Sequence, residues 1–280
     1  MFPGIYEFRW DAGHLIFLGA FYLVALLVAS MVAAALLRSR RDVASGRADR
    51  IRWDEDFART PAALKECRHA LAGRVERRTC ENGFDCRTCS GHKWLERLPE
   101  GGERPRLQAE AMRRVPWFRF EPDRFYHRGH TWVKPLEGGT VLVGLDELGV
   151  RLMGPPESVE LPSPGERLRV NGTGWRMRGG GAEVRVLSPV DGVVVATGGP
   201  GADWYLEVRP DGGKLDDRHL LRGAEVAPWI LRQIDALQAG VGRARHAATL
   251  ADGGEPVKDF HRAVPADLRD ELLGEIFLDS

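Results

Sequence analysis

Cys67, Cys80, Cys86 and Cys89 are the only cysteines in this 280-residue chain, and they fall within 23 residues, with His69 and His92 beside them. The Cys86-x-x-Cys89 pair can grip one ion from a tight turn, with Cys80 approaching from the preceding loop and Cys67 from a helix. Thiolates are the ligands of tetrahedral zinc sites and of iron–sulfur clusters. Disulfides are disfavoured in the cytoplasm, so the grouping predicts one structural zinc, with an iron–sulfur cluster as the second reading. Disulfides and unligated thiols are the plainer alternatives, and His69 or His92 replacing one cysteine is a variant. A thioredoxin-type redox site would set its single Cys-x-x-Cys in a βαβ context, which this stretch lacks.

Other reactive residue types carry weaker signals. The glycine runs 179–181 and 198–201 are not followed by the Lys-Ser/Thr of a phosphate cradle, so turn geometry explains them better. His127 and His130 flank a glycine; they read as hydrogen-bonding residues before they read as metal ligands. Asp216, Asp217 and His219 fit the acid-enriched start of a helix more simply than acid/base work. No nucleophile, base and oxyanion set is visible, so a non-catalytic protein is expected. Forty basic side chains balance forty acidic ones, and without a basic stripe no nucleic-acid partner is expected.

An anchor must hold these residues. Leu15 to Leu37 is a run of 23 positions without a charge, roughly 34 Å as a helix against a hydrocarbon core of about 30 Å. A cleaved signal peptide would want a basic start and a shorter apolar core, whereas Glu7, Arg9 and Asp11 precede this one. Arg38, Arg40 and Arg41 follow the span, with Arg47, Arg50 and Arg52 beyond, which predicts a cytoplasmic bulk and an external N-terminus in a bacterial inner membrane. Phe2, Tyr6, Phe8 and Trp10 would then lie at the outer interface. Ala25, Ala29 and Ala33 repeat every four residues, a spacing that lets a second helix approach closely.

The remaining organisation follows composition. An external segment (1–14) and the span (15–37) precede a charged juxtamembrane linker (38–60), in which 39–59 lacks an apolar period. The cysteine-rich module (61–98) opens with a predicted helix over 62–75, and a further linker follows (99–123). From 124 to 238 short Val-, Leu- and aromatic-rich runs alternate with turns: Thr131–Pro135, Thr140–Gly144, Ser158–Leu161, Gly181–Leu187, Gly192–Ala196 and Trp204–Arg209. Such spacing predicts a compact β-barrel or sandwich. Helices are expected over 146–153 and 217–238, and a short one over 267–278 within the tail (239–280). The predicted class is α+β, mainly β, with a single transmembrane helix, a small metal-binding module and a β domain carrying a C-terminal helix.

The β region resembles the glycine cleavage system H protein, a lipoate-carrying shuttle. The likeness rests on Tyr126-His-Arg-Gly-His-Thr-Trp-Val133, on Thr140–Leu145 with Asp146–Gly154, on Ser158–Glu166, on Ser188-Pro-Val-Asp-Gly-Val193 and on Trp204–Pro210, in that order. It implies a barrel-sandwich hybrid fold. It also implies an acyl-bearing lysine seven residues before Ser188, where this chain has Gly181. Its lysines are Lys65, Lys93, Lys134, Lys214 and Lys258 alone, and a guanidinium is not an acyl acceptor. Lipoate is therefore not expected. The expectation is an accessory subunit held in an integral membrane complex by its helix, capping it on the cytoplasmic side. Respiratory and photosynthetic assemblies are the hosts considered, because photosynthetic reaction-centre H subunits share the plan of one N-terminal helix and a cytoplasmic β-rich domain. An iron–sulfur redox protein and a membrane-tethered lipoyl carrier are the alternatives.

Overall fold

The computed structural model describes residues 11–102, 104–198, 202–244, 264 and 266–279. The aromatic residues expected at the outer interface, Phe2 to Trp10, lie outside these. The chain divides into two units, residues 1–48 and 49–280.

The first unit is built on α1 (Ala12–Ala44). Within it Ala12–Asp42 is long and apolar enough to cross a membrane, and none of it is buried. A helix apolar on every side finds no core to pack into; its composition suits lipid, or a signal sequence. Ala25, Ala29 and Ala33 all lie exposed on it. The charged stretch read as a connector is helical instead, because α1 continues to Ala44 and α2 spans Arg47–Arg59. Arg, Ala and Glu are good helix formers, and α2 gains a buried side through Trp53 and Asp56.

The second unit mixes helices with antiparallel sheet. Two short helices, α3 (Arg68–Leu71) and α4 (His92–Leu95), frame the cysteines. The long helix predicted over 62–75 does not form. Glu66 instead bridges Thr79, with Cys67 N–H donating to Arg78 O and Cys80 N–H to Lys65 O. The stretch 99–123 contains α5 (Arg104–Arg114), and Ala111, Val115 and Phe118 there enter the main core.

Nine strands follow: β1 (Phe125–Tyr126), β2 (Thr131–Pro135), β3 (Val141–Leu145), β4 (Pro156–Glu160), β5 (Arg167–Leu168), β6 (Thr173–Gly179), β7 (Ala182–Leu187), β8 (Gly192–Thr197) and β9 (Leu206–Pro210). They form a six-stranded sheet in the order β1-β2-β3-β9-β8-β5 and a three-stranded sheet β4-β6-β7. Every predicted run coincides with a strand. The ones not foreseen are β1 and β5, which are two residues long, and β6, where Trp175 and Met177 point in while Arg176 and Arg178 point out. Arginines and glycines hide that period-two alternation from a search for apolar runs.

Helix α6 (Glu147–Met153) is capped by Asp146, whose carboxylate accepts from Gly149 N–H. Helix α7 (Val226–Ala244) starts later than expected. Tyr126 and Leu221 exchange backbone hydrogen bonds, and residues 218–220 before Leu221 form a turn closed by Leu220 N–H donating to Asp217 O. Asp216 and Asp217 therefore lie in a loop, engaged by Arg218 and Arg222, not at a helix start. Helix α8 (Ala266–Phe277) closes the order. "Mainly β" is thus corrected: the described helices hold more residues than the strands.

One apolar core joins the sheets to α5, α6, α7 and α8. Trp132 lies so close over Gly144 that a Cβ there would stand 2.2 Å from its ring, and Trp175 stacks on Tyr205 at 4.9 Å between centroids. Each fully buried large side chain of this kind contributes about 1.5–3 kcal/mol.

Candidate functional site

Two places carry the side chains that sequence singled out. The first is a cavity of ≈ 20 Å³ lined by all four cysteines together with His69 and His92. The bridge at Glu66 and Thr79 puts Cys67 and Cys80 on one face of a two-stranded segment. The turn bearing Cys86 and Cys89 is clamped by Arg87, which donates to Asp85 at 2.8 and 2.9 Å and reaches Asp191 beside β8. Arg68 ties the segment to Glu225 at 2.8 Å. Trp53, Phe57 and Phe84 pack against the back of Cys80.

All four thiols are free. Burial pushes the Cys67 thiol up, and pushes Cys86 to about 12. His69 Nε2 and His92 Nδ1 lie 3.0 Å apart. Burial, with the neighbouring ring second, lowers His69 to about 4, and burial lowers His92 as well, so both rings are neutral at pH 7. Arg128 also lines this cavity, only 5% exposed, its guanidinium 4.4 Å from the centre of the Phe84 ring.

This arrangement corrects the metal expectation. Among the described residues no group of three or more His, Cys, Asp or Glu side chains is placed to hold a metal ion. A zinc ligand set must converge on one point at about 2.0–2.3 Å; here the two histidines engage each other. The structural zinc expected here is therefore corrected to a cysteine module that forms no metal-holding group among the described residues.

His219 of the β unit also lines this cavity, and the His127 ring centre lies 6.3 Å from that of His219. His127 Nδ1 accepts from Gly129 N–H at 3.1 Å, so its Nε2 donates to Asn171 Oδ1 at 2.9 Å. His219 Nε2 donates to Pro189 O at 2.8 Å. Burial lowers His127 to about 3 and His219 to about 4, which keeps both neutral. His130 Nδ1 lies 2.8 Å from Asp146 Oδ2, both side chains wholly buried, with Trp229 stacked on the ring. These rings set turns and close the core.

The second place is the β6–β7 hairpin. Gly179 pairs with Ala182, leaving Gly180 (φ 59°) and Gly181 (φ 81°) as a two-residue turn. Both conformations are left-handed, where a Cβ is strained and glycine is not. Arg269 from α8 donates to Gly180 O and to Val264 O. Behind the turn, Arg185 of β7 is fully buried between Asp56 of α2 and Asp279, which follows α8; Asp279 accepts from Arg185 Nε at 3.0 Å and from its backbone N–H at 2.7 Å. Sequence reasoning found Gly181 but neither arginine. Arg128 sits in a polar turn and Arg185 in an alternating strand, and both differ from surface arginines only once the chain is folded.

No family model matches the chain. A probable glycine cleavage system H protein of Pyrococcus furiosus is 30% identical over 131 aligned residues, covering 42% of this chain and 98% of that protein. A probable H protein of Thermococcus gammatolerans is 30% identical over 84 residues, covering 30% of this chain and 63% of that protein. Among solved structures, an H protein from Mycobacterium marinum is 22% identical, covering 38% of this chain and 95% of that one at a TM-score of 0.33. These relatives also overturn the expectation that lipoate is foreign to the chain, since they are H proteins, the family whose resemblance brought lipoate with it. What the sequence itself establishes is that no lysine occurs between Lys134 and Lys214. On the strength of the Pyrococcus relative, matched over nearly its whole length, the chain belongs to the glycine cleavage system H protein family.

Proposed function

We propose that this chain is a non-catalytic accessory subunit in which an H-protein-type β unit is carried by a membrane-spanning helix. The unit lies on the cytoplasmic side, where it caps an integral membrane complex, with respiratory and photosynthetic assemblies as the hosts. The observation that carries this reading is α1, an unburied apolar helix of membrane-spanning length in the same chain as a β unit of the H-protein family. The Arg38, Arg40 and Arg41 flank supports the cytoplasmic placement, and the exposed Ala25, Ala29 and Ala33 face supports packing against a neighbouring helix. The test is purification from native membranes in mild detergent followed by mass spectrometry of what accompanies the chain. A defined set of membrane subunits at fixed stoichiometry supports the proposal; recovery as a lone monomer sinks it.

A second reading, a membrane-tethered lipoyl carrier, is favoured by the family itself. An amide-linked lipoate here has to use one of the five lysines, none of which lies on the β6–β7 hairpin. Intact mass of the purified chain decides between the two: a lipoyl adduct mapped to a lysine establishes the carrier, and its absence from protein made alongside a working lipoylation system removes it.

A further inference from the structure

The arginines beyond the apolar run of α1 do more than set an orientation. Arg38, Arg40 and Arg41 follow Leu37 directly, and the helix does not stop there: α1 continues to Ala44, so all three stand on regular helix. All three are exposed. Between Ala12 and Arg41 the chain holds no Asp or Glu. The acid next in line, Asp42, lies 3.5 Å from the guanidinium of Arg47. Among the described residues, Arg38, Arg40 and Arg41 therefore make no ion pair.

Their placement says what kind of partner suits them. At about 100° per residue they stand at roughly 0°, 200° and 300° around the helix axis, and at 1.5 Å rise they occupy about 4.5 Å of its length. A protein docked against a helix covers one face and leaves part of such a ring unanswered. A lipid leaflet surrounds the helix on every side. The polar layer flanking the hydrocarbon core is about 5–8 Å thick on each side, so a ring of this height fits inside it. Arginine lays its apolar stem along acyl chains while its planar fork of donors matches phosphate oxygens two at a time.

We propose that Arg38, Arg40 and Arg41 form a collar that binds the phosphates of anionic phospholipids in the leaflet at the C-terminal end of α1. The proposal rests on the reading that α1 spans a bilayer, and adds to it the class of lipid held there. Zwitterionic headgroups carry the same phosphate beside a fixed cation, which opposes the field of the arginines. The collar therefore selects lipids of net negative charge.

The experiment uses the full chain reconstituted in phosphatidylcholine vesicles, with a trace of spin-labelled phosphatidylglycerol or spin-labelled phosphatidylcholine as probe. The motionally restricted part of the spectrum reports lipid held at the protein. Phosphatidylglycerol is expected to associate about fivefold more strongly than phosphatidylcholine at low salt, and the preference to fall toward unity in about 1 M NaCl. Arg38→Gln, Arg40→Gln and Arg41→Gln together should abolish it, whereas Arg77→Gln, Arg106→Gln and Arg113→Gln, at three exposed arginines of the other unit, should keep it. The salt series needs no variant, so it tests the collar even if the collar variant does not insert. Equal association of the two lipids overturns the proposal and leaves the collar to an acidic protein surface. Loss of the preference in phosphate relative to chloride at equal ionic strength overturns it in favour of a free anion. A chain that alkaline extraction strips from the vesicles overturns the spanning reading and the collar with it; an inserted chain without preference overturns the collar alone.

Discussion

Arg185 and Arg128 are both buried guanidiniums, on opposite functional regions of the same unit, and they are treated differently. Arg185, behind the glycine hairpin, lies between the carboxylates of Asp56 and Asp279. Arg128, among the thiols, has an aromatic ring and free cysteines around it and an Nη2 without partner. A matched charge fixes structure: it pins α2, β7 and the end of α8 to one another. Arg128 lacks such a pair; the neighbouring Glu66 carboxylate and the thiols bear on its charge without a hydrogen bond to its Nη2. The hairpin region, by contrast, is closed by the chain's own Arg269.

The largest effect expected from this contrast is acid sensitivity on the cysteine side. His127 and His219 sit near 3 and 4 in the folded chain against 6.5 when unfolded. Their folded pKa values are depressed by burial, so the unfolded state binds protons first. Stability is intact above about pH 6.5 and falls steadily as pH drops toward 4. Denaturant midpoints from pH 8 to pH 4 measure this, and His127→Gln should flatten the slope; an unchanged slope would break the assignment. Next in size, Asp56→Ala should cost about 3 kcal/mol by leaving Arg185 underpaired in the core, read as a lower denaturant midpoint at constant m-value. A loss within experimental error would show that Asp279 alone suffices.

Smaller again, Gly181→Ala places a Cβ at φ 81°, 3.2 Å from Arg269 Nη1, and should cost about 1 kcal/mol. Thermal unfolding of the single variant checks it, and Arg269→Ala should cost the same with or without Gly181→Ala if the backbone conformation is the cause. At the small end, Glu147, raised to about 7 by burial, prefers its protonated form in the fold. Its contribution is present below the unfolded value of 4.5 and is lost as pH climbs through 7. Glu147→Gln should therefore raise Tm slightly at pH 8 and leave it unchanged at pH 4; the reverse order would refute the burial argument.

Parts of this were legible before folding because the signal is local. The 23-residue uncharged run needs only length and composition to be read as a span, and a helix of that kind is what forms. The strands at 131–135 and 182–187 are short runs rich in Val and aromatic or aliphatic residues between turns, and the ordered motifs from Tyr126 to Pro210 carried the family. The positions of the five lysines, none between Lys134 and Lys214, need no coordinates either.

What tertiary structure alone decided concerns groups far apart in sequence. The spacing of the cysteines is visible in the chain, but that Arg128, 39 residues beyond Cys89, lines the same cavity emerges only from the fold. Whether a buried arginine is answered depends on carboxylates 129 and 94 residues away for Arg185, and for Arg128 on the Glu66 carboxylate and the thiols around it. Local pattern records propensity and periodicity; charge compensation is a sum over everything the fold brings within a few ångströms, and no window of sequence contains it.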